Sequence, residues 1–457
     1  MLSLSQAASG IKATIQGADA TFTSVTSDSR TIAPGSLFIA LRGERFDGHE
    51  FVSKAIQQGA AAAMVDQAAA EQHRTEWKDM PLLVVADTRL ALGQLAALWR
   101  GQRQLRLAAI TGSNGKTTVK EMLAAILREA VGQDAVLATE GNLNNDIGMP
   151  LMLLKLREQH RFAVIEMGMN HPGEIEYLTQ IARPDVAVIN NAGAAHLAGL
   201  GSVEEVARAK GEIFSGLASD GVAVINADDT FAALWKKLAS AHAIIEFGID
   251  HPAQVSATCQ LGTLDSELKL RTPAGECQVK LPIPGLHNVR NALAAAAAAS
   301  ALGISNEAIA AGLQKFAGVK GRLQRKSGLH GATLIDDSYN ANPASVKAAI
   351  AVLASMPGKK ILVLGDMGEL GPDASALHSE LGTAAKQAGV DILLCHGDIC
   401  RAAASEFGAN AWFFERIEEL LADLENLLAP DVTVLVKGSR FMQMERVIKS
   451  FEVKSNG

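Results

Sequence analysis

Residues 107–110, Leu-Ala-Ala-Ile, form an apolar run that feeds directly into Thr111-Gly-Ser-Asn-Gly-Lys-Thr-Thr118. Gly112 and Gly115 let the backbone through Ser113 and Asn114 turn tightly with its N–H groups facing inward. The Lys116 ammonium can then reach outer phosphates, and the Thr117 hydroxyl, next to Thr118, can ligate Mg²⁺. Such a turn cradles a nucleoside triphosphate, ATP or GTP. The common form of this loop has a glycine six residues before the lysine, where this chain has Ile110, so the loop is a shortened variant. The apolar run before it and the amphipathic stretch over 119–128 after it supply the strand–turn–helix context the chemistry requires.

Ligands of open parallel sheets collect beyond the carboxyl ends of the strands, so residues closing other apolar runs come next. Glu166 ends Phe-Ala-Val-Ile-Glu, where a carboxylate level with the phosphate loop can hold Mg²⁺ directly or through water. The plainer reading is a solvated or salt-bridged glutamate. His196 follows Val188-Ile-Asn-Asn-Ala-Gly-Ala-Ala195, a loop of small residues with room for a ligand, yet an isolated loop histidine is more often a surface or satisfied core residue. Lys210, in the helical pattern over 203–214, reads by itself as a solvated lysine. Leu334-Ile-Asp-Asp-Ser-Tyr-Asn-Ala-Asn-Pro343 closes another run in carboxylates, amides and a phenol that can hydrogen-bond ribose or a polar substrate. The same residues are ordinary turn chemistry before a helix starting at Pro343. Lys437-Gly-Ser-Arg440 offers two cations for carboxylate or phosphate.

The elements that must hold these groups follow from periodicity. At usual domain sizes, 457 residues make about three domains. The pattern divides the chain into a small α/β unit over 1–83, a central unit over 84–313 and a third unit over 314–457. Apolar runs at 135–139, 162–166, 185–190 and 222–226 alternate with helical patterns, which predicts a mostly parallel sheet with helices on both faces. Runs at 333–335, 361–364, 392–395 and 432–436 repeat that pattern as a separate doubly wound domain. Residues 254–282 alternate polar and apolar and predict an antiparallel appendage.

A net charge of −7 with no dense Lys/Arg block weighs against nucleic acid or an anionic membrane as the main partner. The first residues lack a signal-peptide pattern, and no charge-free span approaches the roughly 20 residues of a membrane helix. A cytoplasmic chain without membrane insertion is expected, with the alanine-rich run over 292–302 a buried helix. Cys259, Cys277, Cys395 and Cys400 show no C-x-x-C pairing and predict reduced thiols.

Taken together, Thr111–Thr118, the Glu166 strand end, the His196 loop, Ala209-Lys-Gly-Glu-Ile213 and Gly285-Leu-His-Asn-Val-Arg-Asn-Ala292 resemble the Mur ligases over nearly the whole chain. The resemblance implies an α/β protein of three domains: a UDP-substrate domain, a P-loop-type ATPase domain and a Rossmann-like C-terminal domain. Thr139-Glu-Gly-Asn-Leu-Asn-Asn-Asp-Ile-Gly-Met-Pro150, Glu166-Met-Gly-Met-Asn-His-Pro-Gly-Glu174 and Asp336-Asp-Ser-Tyr-Asn-Ala-Asn-Pro343 are most similar to the member that joins D-Ala-D-Ala to UDP-N-acetylmuramoyl-tripeptide. The member that adds the third residue typically carries Asp-Asn-Pro-Arg, which is absent here.

By the same resemblance Lys210 is the lysine that CO₂ carbamylates, and Thr117, Glu166, His196 and carbamylated Lys210 support two Mg²⁺ ions. Lys116, Glu166, His196 and Lys210 form the catalytic set. Asn288 and Asn291 match the adenine side, while Arg322 and Asp337 match groups that reach ATP on domain closure. Ser29 and Arg30, in Ser27-Asp-Ser-Arg30, match a uridine segment, and Asn142, Asn144 and Asn145 face the UDP-substrate. Tyr339, Asn340 and Asn342 are assigned to substrate, and the enzyme is expected to work as a monomer. Another amide ligase of the same superfamily, such as the third-residue-adding ligase or a folylpolyglutamate synthetase, or a P-loop switch, are the competing readings.

Overall fold

The computed structural model describes residues 1–44, 46–194 and 197–453, with the side chains of Leu197 and Ala198 left aside. In the N-terminal sheet the strands run in the order Thr14–Gln16, Leu82–Val85, Ala62–Asp66, Ser36–Ile39, Ser24–Thr26, parallel except for the first pair. Leu82–Val85 lies wholly inside this sheet, so residue 83 falls within one of its strands. Its four apolar residues read equally well as the start of the central alternation, and only non-local pairing assigns them. Asp87 then accepts the N–H groups of Arg89 and Leu90 and starts the helix Thr88–Gly101.

The central sheet is all parallel, in the order Ala243–Phe247, Val222–Asn226, Val186–Ile189, Arg106–Thr111, Phe162–Glu166, Val136–Ala138. Its apolar runs are buried on both faces because alternate side chains serve different cores: Leu107 and Ala109 face one cluster, Ala108 and Ile110 the other. The strand Arg106–Thr111 sits between strands reached in opposite directions, and the cleft opens at this switch point.

The expected antiparallel appendage is present as Ser256–Leu261, Ser266–Thr272 and Gly275–Leu281. Its inward residues Leu268, Leu270, Val279 and Leu281 cluster with the helix Leu286–Ala301, whose Ala292, Leu293 and alanines 294–299 are buried. Alanine allows this close packing on all sides, which is why the run reads as buried helix. No helix among the described residues is long and apolar enough to cross a membrane.

The C-terminal sheet runs Gln324–Ser327, Thr333–Asp337, Val432–Lys437, Lys359–Gly365, Ile392–His396, Ala411–Phe414, parallel except for the first pair. The N-terminal and central units share one apolar cluster that includes Leu4, Leu92, Leu95, Met149 and Ile175. Among the described residues no buried apolar cluster spans the junction near residue 320. Polar contacts such as Arg322 to Thr117 and Asn342 to Asn114 cross that junction, an arrangement suited to relative movement.

Candidate active site

A cleft of about 880 Å³ opens where the central strand ends face the C-terminal unit. Its floor is the phosphate loop. Gly115 takes φ +78° and precedes the helix Lys116–Val131, whose first N–H groups have no intrahelical partner and face the cleft. Lys116 folds back so that Nζ donates to the Gly112 carbonyl at 2.6 Å. Burial lowers its pKa, the Glu166 carboxylate opposes that shift, and the Arg322 cation adds to it. Ser113 Oγ accepts from Gly193 N at 2.9 Å, while Thr118 lies beside it on the cleft wall.

Glu166 and Thr117 meet as the sequence spacing requires. Thr117 Oγ1 donates to Glu166 Oε2 at 2.9 Å, and both side chains are buried. Two oxygen donors this close, opening into a cleft, form a fitting start to a Mg²⁺ site. From across the junction Arg322 donates to the same Thr117 hydroxyl at 2.9 Å. His196 lies outside the described residues. Lys210 is 1% exposed in the helix Val203–Gly211 and is not among the residues lining the cleft. No hydrogen bond or ion pair joins its amine to another described residue, and burial reinforced by the Lys116 charge drives its pKa well below the usual value.

A net of amides ties the loop to both walls. Asn190 and Asn191 both donate to the Asn114 carbonyl, at 2.9 and 3.1 Å, and Asn191 accepts from Asn114 N at 2.8 Å. Asn190 also donates to Asn291 Oδ1 at 2.9 Å, and Asn291 donates to Asn288 at 3.3 Å. Asn342, which caps the helix Pro343–Ala354, donates to Asn114 Oδ1 at 2.7 Å. The sequence reading passed over Asn190 and Asn191. Their signal was present, since two consecutive amides closing the run Val-Ile-Asn-Asn are costly to bury without partners.

The remaining assigned residues divide. Asn142, Asn144 and Asn145 line the cleft, although Asn145 spends its Oδ1 on Gly148 N at 2.8 Å. Tyr339 lies beneath the Arg322 and Arg440 guanidiniums, 4.6 and 5.8 Å from its ring centre. Asn340 accepts Lys437 at its carbonyl, 2.8 Å away. Asp337 is buried and pairs with Lys437 at 2.6 Å; burial raises its pKa against the pull of Lys437 and Arg322. His287, facing Lys437 and Arg290, is held neutral by burial and those cations, with a pKa of about 4. Ser29 and Arg30 lie apart from this cleft, with Arg30 exposed and paired to Asp28 at 2.8 Å.

Lys116, Arg322, Lys437 and Arg440 thus converge on one cleft with paired oxygen donors, as transfer of a phosphoryl group to or from an anion requires. Family models match in three stretches: "Mur ligase family, catalytic domain" over residues 21–100, "Mur ligase middle domain" over 110–299 and "Mur ligase, glutamate ligase domain" over 321–440. The UDP-N-acetylmuramoyl-tripeptide--D-alanyl-D-alanine ligase of Escherichia coli (strain K12) is 44% identical over 455 residues, spanning 99% of this chain and 98% of its own. The chain belongs to the Mur ligase family. A crystal structure of MurF from Acinetobacter baumannii is 40% identical with a TM-score of 0.91, over 98% of both chains. That of MurF from Thermotoga maritima in complex with ADP is 27% identical with a TM-score of 0.81, over 93% of this chain and 96% of that one. The α/β class and three-domain plan expected from the sequence agree with these neighbours.

Proposed function

We propose that this chain is an ATP-dependent ligase that joins D-Ala-D-Ala to the terminal carboxylate of UDP-N-acetylmuramoyl-tripeptide, as a single cytoplasmic chain, releasing ADP and phosphate. The observation that carries it is the convergence of Lys116, Thr117 and Glu166 with Arg322 from the other side of the cleft. A carboxylate is a poor electrophile until it is phosphorylated. The tripeptide carboxylate attacks the γ-phosphorus of ATP, the bond to ADP breaks, and an acyl phosphate forms. The free amine of D-Ala-D-Ala attacks the acyl carbon, and the tetrahedral oxyanion collapses with loss of phosphate.

The loop N–H groups of residues 112–118 and Lys116 hold the phosphates, and Asn288 and Asn291 take the adenine side. Arg322 and Lys437, the latter fixed by Asp337, bring positive charge as the C-terminal unit closes about a junction near 312–321. Closure also keeps water from the acyl phosphate. Asn142 and Asn145 face the UDP-linked substrate, with Ser29 and Arg30 taking its uridine, and Tyr339, Asn340 and Asn342 border the amine substrate. Thr117 and Glu166, with His196 and Lys210, would hold two Mg²⁺ ions, whose charge offsets that on the transferring phosphoryl group. Lys210 fits this set as a carbamate. Its amine is buried without a hydrogen-bond or ion-pair partner among the described residues, and burial with the Lys116 charge pushes its pKa well below the usual value. In the neutral form the lone pair can bond the carbon of CO₂ with loss of one N–H proton, turning a would-be cation into an oxygen ligand.

The test is phosphate release from ATP with UDP-N-acetylmuramoyl-tripeptide, with and without D-Ala-D-Ala, and mass analysis of products. Turnover that needs both partners and yields the pentapeptide supports the ligase. Release that ignores both, with no new amide, replaces it with a nucleotide switch.

A further inference from the structure

We infer that Asn144 is a positioning residue for Glu166, acting on the cation site instead of on the UDP-linked substrate that its segment faces. The inference rests on the reading of Glu166 as a Mg²⁺ ligand. Glu166 leaves its strand 3% exposed with Oε2 taken by the Thr117 hydroxyl. Its other oxygen, Oε1, accepts Asn144 Nδ2 at 2.8 Å. An ionised carboxylate only accepts, which fixes the amide with its NH₂ toward Glu166.

The segment carrying Asn144 is held in place independently of any substrate. Its carbonyl accepts Gly168 N at 2.9 Å, and its N–H donates to the Asn142 carbonyl at 2.8 Å. The amide lies against Gly168, where an added Cβ would stand 3.1 Å from Asn144 Cγ and Oδ1 and 3.2 Å from Nδ2. Space beside the strand end is therefore filled by the amide, and a methyl group at 168 would press it by a few tenths of an ångström. With one oxygen tied on each side, the Glu166 carboxylate is oriented before a cation arrives. Outer partners of this kind orient a ligating carboxylate, and their loss typically lowers metal affinity about 10- to 100-fold. Because Asn142 and Asn145 also line the cleft, Asn144 links their wall to the cation site.

Two variants perturb this link differently: Asn144→Leu keeps the side-chain shape without the N–H, and Gly168→Ala keeps the amide but shifts it against Glu166. Mn²⁺ binding to the enzyme–ADP complex, followed by electron paramagnetic resonance, is measured beside the KM for UDP-N-acetylmuramoyl-tripeptide. Both variants are expected to bind Mn²⁺ about tenfold or more weakly, with the KM for the UDP-substrate near wild type. Wild-type Mn²⁺ affinity with a raised KM in Asn144→Leu would make Asn144 a substrate contact and overturn the inference. Glu166→Gln separates the two readings. If it leaves Mn²⁺ binding unchanged, Glu166 is no ligand and both fall; if it weakens binding while Asn144→Leu and Gly168→Ala do not, only the positioning role falls.

Discussion

Gly115→Ala places a methyl group at the centre of the amide net. Gly115 adopts φ +78°, a conformation that costs a residue with a Cβ about 1–2 kcal/mol. The new methyl would stand 2.2 Å from Asn291 Oδ1 and 2.5 Å from Asn190 Nδ2, the two ends of a 2.9 Å hydrogen bond. Neither amide can simply rotate away, because Asn190 also holds the Asn114 carbonyl and Asn291 also holds Asn288. Parting them leaves a buried amide unsatisfied, at roughly 1–3 kcal/mol. The sum, about 2–5 kcal/mol, corresponds to a fall in Tm of roughly 5–15 °C for a unit of this size. The same displacement tilts the N–H groups of the phosphate loop, so the KM for ATP rises as well. Thermal unfolding and initial rates over an ATP series measure both effects. Asn291→Ala removes one obstructing amide, and the double variant should show a coupling above about 0.5 kcal/mol. A Gly115→Ala enzyme with wild-type Tm and wild-type KM would refute the account of the loop.

Lys210→Ala should lose ligase activity and recover part of it with added short carboxylic acids, which supply the missing oxygen ligand; a fully active variant would remove the carbamate. His287 sits near 4 instead of its usual 6.5. The unfolded chain therefore binds its proton first as pH falls, and stability is lost through that window by at most about 3 kcal/mol. His287→Gln should flatten the decline in Tm between pH 6.5 and 4, and an unchanged slope would show that another group carries it. Asn342→Asp keeps an oxygen to cap its helix but cannot donate to Asn114. Near-wild-type stability with a roughly 2- to 10-fold lower kcat/KM for ATP is expected, and unaltered kinetics would show the bond to be idle.

What the sequence made legible was local. The phosphate loop announces itself through Gly112, Gly115 and Lys116, and Glu166 through the four apolar residues before it, because strand and turn chemistry are written in adjacent residues. What it hid was non-local. Leu82–Val85 has the composition of either sheet, and its partners Ala62–Asp66 and Thr14–Gln16 decide. The strand Gln324–Ser327 is polar and lies at an edge, so it carries no apolar run to detect. Asn190 and Asn191 look like loop residues until Asn114 and Asn291 are folded against them. Lys210 shows the limit most clearly: a helical lysine reads as solvated, and only tertiary packing turns it into a buried amine with no partner among the described residues.

The lack of a shared apolar core among the described residues at the junction near residue 320 also bears on inhibition. A compound wedged between Arg322 and Thr117 would part hydrogen bonds that water can replace, at a net cost of roughly 0.5–1.5 kcal/mol each, without tearing open an apolar interior. The wall carrying Asn288 and Asn291, proposed above for the adenine, is the opposite case. Its asparagines ride on a helix of buried alanines with no side-chain rotamers to rearrange, so a ligand there must match a fixed template. Compounds of irregular shape should therefore find their purchase on the C-terminal side of the cleft, acting as doorstops, while the adenine side rewards close mimicry of the nucleotide.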